Sequence, residues 1–198
     1  MSLAAIVASF SLMVAMAIMV ASFRQSVDDC LRVVLPADFY LRTSHQGDTA
    51  FLDPAFETRV KALPMVSRAE FARAGRVTLD PARPAIALLA RDTEAGAEKW
   101  IPLVGPRHAR SAGDPPDAWV SEAVAEIYGY APGSRIELPL GGKNFSFLVA
   151  GVWRDYARQH GAIVIDRRVY VALTGDRRAN DAALWLALQH RARWSERG

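Results

Sequence analysis

The residues best equipped for chemistry lie between Arg154 and Asp166. Arg154, Asp155, Tyr156 and Arg158 place two guanidiniums, a carboxylate and a phenol in one short stretch. Asp155, His160 and Asp166 add an imidazole between two carboxylates, which could converge beside one strand as a metal site or an acid–base group. Asp166, however, stands just before an apolar helical pattern, where its carboxylate is expected to cap the helix. The Arg154–Arg158 loop either contacts a partner domain or a neighbouring stalk, or is a solvated loop tied down by local ion pairs. Exposed ion pairs contribute only about 0–1 kcal/mol, so residue types alone favour the second. Replacing Arg154 and Asp155 with Ala should then leave folding nearly intact.

Other chemistries find little footing. His45, His108, His160 and His190 are scattered, without the HxxxH or HExxH spacing that zinc requires. The chain lacks a GxxxxGK[ST] loop for nucleotide phosphates, and Gly141-Gly142-Lys143 is too short a turn to cradle one. Ser121 is not in a G-x-S-x-G elbow. Cys30, the single cysteine, forms neither an internal disulfide nor a metal cluster and reads as a small packing residue. No catalytic, metal or cofactor-binding residue is expected.

The elements that must position the loop begin with a membrane anchor. Leu3 to Phe23 is an uncharged run of 21 residues, about 32 Å long as a helix and enough to cross a hydrocarbon core of about 30 Å. A cleaved secretory signal fits poorly, because no basic residue precedes the run and its length exceeds a signal core. The lipid bilayer is therefore the first partner. Small residues four apart (Ala4 with Ala8, Ala5 with Ser9, Ser11 with Ala15, Ala17 with Ala21) would let a neighbouring helix approach closely. With 198 residues and 51% apolar composition, enough chain remains for one domain or two small subdomains. The formal charge of +3 comes with no basic block interleaved with aromatics, which argues against nucleic acid. Charge near the span does not settle which side the domain occupies.

Val27, Cys30, Leu31, Val34 and Leu35 repeat at helical spacing and predict that the span continues as an amphipathic extension to Pro36, which stops it. That extension is either a rigid stalk able to pass force between membrane and domain, or a helix packed on its own domain. Asp38 to Arg42 reads as a strand. Asp53 caps a helix with Pro54 at its first position and Phe56, Val60 and Leu63 on one face. Ser67 to Leu79 and Ala85 to Arg91 are predicted strands, and Glu94 to Pro116 an irregular, mobile or partner-facing loop. Ser121 caps a helix with Ala123, Val124, Ile127 and Tyr128 inward and Gly129 at its end. Ile136, Leu138 and Leu140 alternate up to Gly141-Gly142 and Phe145, Phe147 and Val149 alternate back, which predicts a hairpin. Gly151 marks a bend, Ala162 to Ile165 a buried strand, Asp166 the cap of a helix ending at Gly175, and Ala182 to Leu188 a last strand.

The succession WVSEAVAEIYGYAPGSRIELPLGGKNFSFLVAGVWRDYARQHGAIVIDRRVYVALTGD, from Trp119 to Asp176, resembles the extracytoplasmic core domain of FtsX-like, MacB-type ABC transporter permeases. The Ser-Glu start of a short helix closed by Gly, the Pro-Gly turn, the hairpin and the Val-Ala-Gly strand carry the likeness, and RDYARQHGAIVIDR matches a subset especially well. IMVASFRQSVDDCLRVVLPADFYLR resembles a span continuing into an outer stalk. The implied fold class is α+β: one transmembrane helix (residues 1–23), a stalk (24–36), a mixed extracytoplasmic domain (37–188, with any subdomain break within 94–116) and a charged tail (189–198).

The resemblance implies a permease component in the cell inner membrane, extracytoplasmic after about residue 24, that binds no ATP itself. A separate ABC ATPase subunit would hydrolyse ATP, and the stalk would relay its motion toward substrate export or lipoprotein and lipid handling. A permease dimer and a periplasmic adaptor or lipoprotein are the further partners implied. Complete permeases have several spans and this chain shows one, so a fragment of a longer protein is expected. The alternative is a single-pass anchored domain that binds a ligand or protein without an ATPase. A membrane-tethered hydrolase is a third class, tested by changing Ser121 or His160.

Overall fold

The computed structural model describes residues 3–43, 50–93 and 101–187. It falls into two compact units, Met1–Pro36 and Ala37–Gly198. The first is a single helix, α1 (Leu3–Val34), of 32 residues. Within it Ser9–Val27 is long and apolar enough to cross a membrane, by length and composition. The helix runs without interruption from the apolar stretch into the Asp28–Val34 stretch and stops two residues before Pro36, as the proline's effect on its predecessor requires.

The second unit is a nine-stranded mixed sheet in the order β1-β9-β2-β3-β8-β5-β7-β4, with β6 paired to β7. Its elements are β1 (Phe39–Arg42), α2 (Pro54–Lys61), β2 (Val66–Val77), β3 (Ile86–Arg91), β4 (Leu103–Val104), β5 (Asp117–Ser121), α3 (Glu122–Tyr128), β6 (Arg135–Leu140), β7 (Lys143–Trp153), β8 (Ala162–Asp166), α4 (Arg167–Thr174) and β9 (Asp181–Leu186). β3 lies parallel to β8 and β5 parallel to β7, while β5 and β8 run antiparallel.

Consecutive residues of the central strands serve opposite faces, as the period of a strand dictates. Leu88, Ala90, Val120, Ile163 and Ile165 join Val124, Ile136, Leu138 and Phe147 in one buried cluster, against which Val169, Tyr170 and Leu173 of α4 pack. Leu89, Trp119, Ala162 and Val164 point the other way, into a second cluster with Ile101, Ala150 and Trp153. A third cluster joins Val60 of α2 to Phe71, Ala179 and Ala182.

Several local expectations need correction. The described part of the 94–116 stretch is no free loop: Ile101 is 3% exposed, Leu103 and Val104 pair with Trp153 and Val152, and the His108 N–H donates to Ala150 O at 2.8 Å. Leu89, Trp119 and Val164 on the second face need a cover, and Ile101 and Leu103 of this segment supply part of it. Leu63 lies beyond the end of α2 and is 44% exposed, and Ile127 is 40% exposed; Ala125 packs inward in place of Ile127. Gly151 does not end its strand, and the irregularity expected there is a bulge within β7. β7 continues through it to Trp153, with Ala150 as the extra residue opposite the Ala118/Trp119 step. A Cβ at Gly151 would meet the Trp119 ring at 3.0 Å, so the glycine makes room for that ring. β5 had no sequence counterpart, because an aspartate, an alanine and a serine dilute its strand pattern. Leu188 of the expected last strand lies outside the described residues.

Candidate functional site

The Arg154–Arg158 loop leaves the end of β7, where Trp153 pairs with both Leu103 and Ser121. Because Ser121 ends β5 and caps α3, the register delivers Glu122, the first residue of α3, beside Arg154. Arg154 Nε donates to Glu122 Oε2 at 2.8 Å and Nη2 to Oε1 at 3.0 Å, a two-pronged pair. Hydrogen bonds to Glu122 and then Tyr156 raise the Arg154 pKa, and the Arg154 bond is likewise the main cause of the lowered Glu122 value. The Arg154 N–H donates to Pro102 O at 2.9 Å, which ties the loop's start to the 101–116 segment.

Asp155 behaves differently from a solvated loop residue. Its side chain is 4% exposed; Oδ1 accepts from the Ala157 N–H at 3.0 Å and Oδ2 from Arg158 Nη1 at 2.9 Å. The Gly161 N–H then donates to Arg158 O at 3.2 Å. These bonds leave Tyr156 standing out, 74% exposed, on a backbone already held in place. Alanine at Arg154 therefore removes an exposed pair, whereas alanine at Asp155 unties the loop from within. The two halves of the expected near-silent double change thus differ in structural setting, an exposed pair at Arg154 and a covered, locally bonded carboxylate at Asp155.

The remaining candidates have structural employment. Ser121 is fully buried, its Oγ accepting from Ala162 N at 3.0 Å and Val124 N at 3.4 Å. Asp166 caps α4 through Arg168 N at 2.8 Å and Val169 N at 3.4 Å, and also accepts from Thr93 Oγ1 at 2.9 Å. His160 is exposed in the turn before Gly161. Asp155, His160 and Asp166 do not come together, and among the described residues no three His, Cys, Asp or Glu side chains gather to hold a metal. Lys143 starts β7 directly after the Gly141-Gly142 turn. Cys30 lies in α1, and His45 and His190 lie outside the described residues.

A second polar constellation escaped sequence reasoning. Arg42 and Asp181 face each other across β1 and β9, with Nε–Oδ1 at 2.6 Å and Nη2–Oδ2 at 3.0 Å. The bond to Asp181 raises the Arg42 pKa against the opposing effect of burial. Asp38 Oδ2 accepts from Leu186 N at 2.8 Å, at the other end of the same strand pair. The partners are 139 and 148 residues apart in sequence, so only the pairing of β1 with β9 reveals them.

The molecule thus combines an apolar helix fit to span a membrane with a mixed-sheet α+β domain that shows, among the described residues, structural roles for its candidate acids and hydroxyls. The chain belongs to the family of MacB-like periplasmic core domains, whose pattern it matches over residues 1–193. Its fold is similar to the extracellular domain of the noncanonic ABC-type transporter YknZ from Gram-positive bacteria, with a TM-score of 0.52 and 12% identity, covering 79% of this chain and 85% of that one. It is also similar to the periplasmic region of MacB from Actinobacillus actinomycetemcomitans, with a TM-score of 0.50 and 12% identity over 80% of this chain and 78% of that one. No curated protein matches it in sequence. Family and fold are those of the extracytoplasmic domain of MacB/FtsX-like ABC transporter permeases.

Proposed function

We propose that this chain is a permease component that couples ATP hydrolysis by a separate ATPase subunit to substrate export or lipoprotein and lipid handling outside the cytoplasm. The span would lie in the inner membrane, with the chain extracytoplasmic from about Arg24 and the 24–36 stretch acting as a stalk. The observation that carries this proposal is the family match from residue 1 to 193, which embraces helix and sheet together. The unbroken course of α1 supports it, since a helix transmits axial displacement along its hydrogen-bonded length. The chain's part is mechanical or substrate-handling rather than catalytic.

Two permease chains would assemble around their ATPases, and the prebuilt Arg154–Arg158 loop would offer Tyr156 to a periplasmic adaptor or lipoprotein. Tyrosine and arginine are enriched where such contacts concentrate their energy.

A protease-cleavable tag near Tyr130 tests the sidedness in intact cells. Cleavage by external protease, after the outer barrier is made permeable, is expected. Cleavage only after the cytoplasm is opened would overturn the proposal. Copurification of a P-loop ATPase with the complete permease tests the coupling, and Tyr156→Ala should weaken capture of the adaptor or lipoprotein without releasing that ATPase.

A further inference from the structure

β1 is the first ordered strand after α1, and everything that reaches the sheet from the helix side along the chain passes through Ala37 and Asp38. Yet β1 contributes no fully buried side chain to the core: Phe39, Tyr40 and Leu41 are 38%, 45% and 40% exposed. It sits at one edge of the sheet and pairs only with β9, in the register Phe39↔Leu184 to Arg42↔Asp181. Packing therefore holds it less firmly than the central strands, and a four-residue edge strand without a fully buried side chain is prone to fray or slip.

Beyond the backbone pairing with β9, side-chain polar contacts hold β1 at its two ends. At the near end the Asp38 N–H donates to Leu184 O at 3.0 Å while its carboxylate takes the Leu186 N–H at 2.8 Å. Asp38 thus grips β9 by backbone and side chain together. At the far end the two-pronged Arg42–Asp181 pair fixes the last register position, followed by Thr43 N to Asn180 O at 3.0 Å. A one-residue slip would separate Arg42 from Asp181 and turn every β1 side chain to the opposite face. β9 in turn is anchored along its other edge to β2, from Val66↔Leu186 to Ala72↔Asp181.

We propose that Asp38 and the Arg42–Asp181 pair are register pins that lock β1 to β9, so that displacement arriving through the chain from α1 is delivered to the sheet instead of being lost as strand slippage. This rests on the coupling role proposed above and names the positioning residues for it. The pins touch no substrate; they act by keeping one edge strand in one register.

Hydrogen exchange on the full chain in lipid nanodiscs tests the pins without any partner or substrate. Arg42→Gln and Asp181→Asn should each speed exchange of the β1 amides about three- to fivefold, leaving β5 and β8 amides unchanged. The charge swap Arg42→Asp with Asp181→Arg should bring β1 back toward wild type. Asp38→Ala should expose the Leu186 amide, and Asp38→Asn, which keeps an acceptor oxygen, should not. Unchanged β1 exchange in both single variants, or acceleration spread equally over β5 and β8, would overturn the proposal.

The coupling role has a separate readout. In the complete permease with its ATPase, Arg42→Gln should leave ATP hydrolysis running while export falls, and the swap should restore export. Ordinary export in a variant whose β1 exchange has risen would remove the coupling role while leaving the pins standing as structure.

Discussion

Single residues in this domain do their work by filling space and satisfying buried hydrogen bonds. Gly161 has a φ of +75°, and a Cβ there would collide with Ser121 Oγ and meet Val124 Cγ2 at 2.8 Å. Gly161→Ala is expected to cost about 2–4 kcal/mol, combining left-handed strain with overpacking, and thermal unfolding in detergent should show it as a lowered midpoint. Asp176 offers a test by pH. Burial pushes its carboxyl up, but hydrogen bonds from Arg178 (side chain and backbone) and from Arg73 outweigh burial, and its pKa lies below the usual value. A carboxyl depressed on folding stabilises the native state fully above its unfolded value of about 4, and that stabilisation fades as pH falls through the folded value. Asp176→Asn should therefore flatten the acid limb of a stability–pH curve below about pH 4 while lowering stability at neutral pH. The caps Asp53, Ser121 and Asp166 and the closing glycines Gly129 and Gly175 were legible beforehand, because capping is decided by neighbours three or four residues away.

At the scale of elements, the long strand β2 changes partners halfway, pairing with β9 up to Ala72 and with β3 from Arg73. Asn180 holds the junction: its Oδ1 accepts from Ala74 N at 2.7 Å and its Nδ2 donates to Ala74 O at 2.6 Å, so a side-chain amide stands where a strand would otherwise pair. Asn180→Ala leaves Ala74 N without this acceptor, while Ala74 O keeps a bond from Arg73 Nη1 at 2.8 Å, and should cost about 1–3 kcal/mol, with faster hydrogen exchange localised around Ala74. The hairpin of β6 and β7 was legible from its alternation around Gly141-Gly142, since each residue's face is fixed by its position in the strand. β5 was not, although it is buried at Ala118, Trp119, Val120 and Ser121. A strand covered on both faces has no polar alternation to betray it, and Asp117 and Ser121 made it look like loop. Ile127 and Leu63 show the converse, apolar residues at helical spacing that stay 40% and 44% exposed; Leu63 falls beyond the last turn of the eight-residue α2.

For the whole molecule, the continuity of α1 is the feature on which the proposed mechanics depends. Val27→Pro would remove a helix hydrogen bond and clash with the preceding turn, weakening the helix there by about 3 kcal/mol. The sheet domain has its own core, so its thermal transition should stay near wild type, while ATP-dependent export by the complete permease should drop sharply. The candidate loop was readable only as a set of residue types; that Asp155 is buried and Tyr156 is not depends on β4, β5 and β7 meeting at Trp153. Local residue order was enough to place the apolar helix, its continuation toward Pro36, the caps and the hairpin, because each follows from interactions within a few residues or from a simple period. The sheet order, the packing of the 101–104 segment on the second face and the meeting of Arg42 and Asp38 with β9 emerge instead from how distant segments pack together. Those contacts join residues a hundred or more positions apart, and no local pattern encodes which distant strands will share an edge.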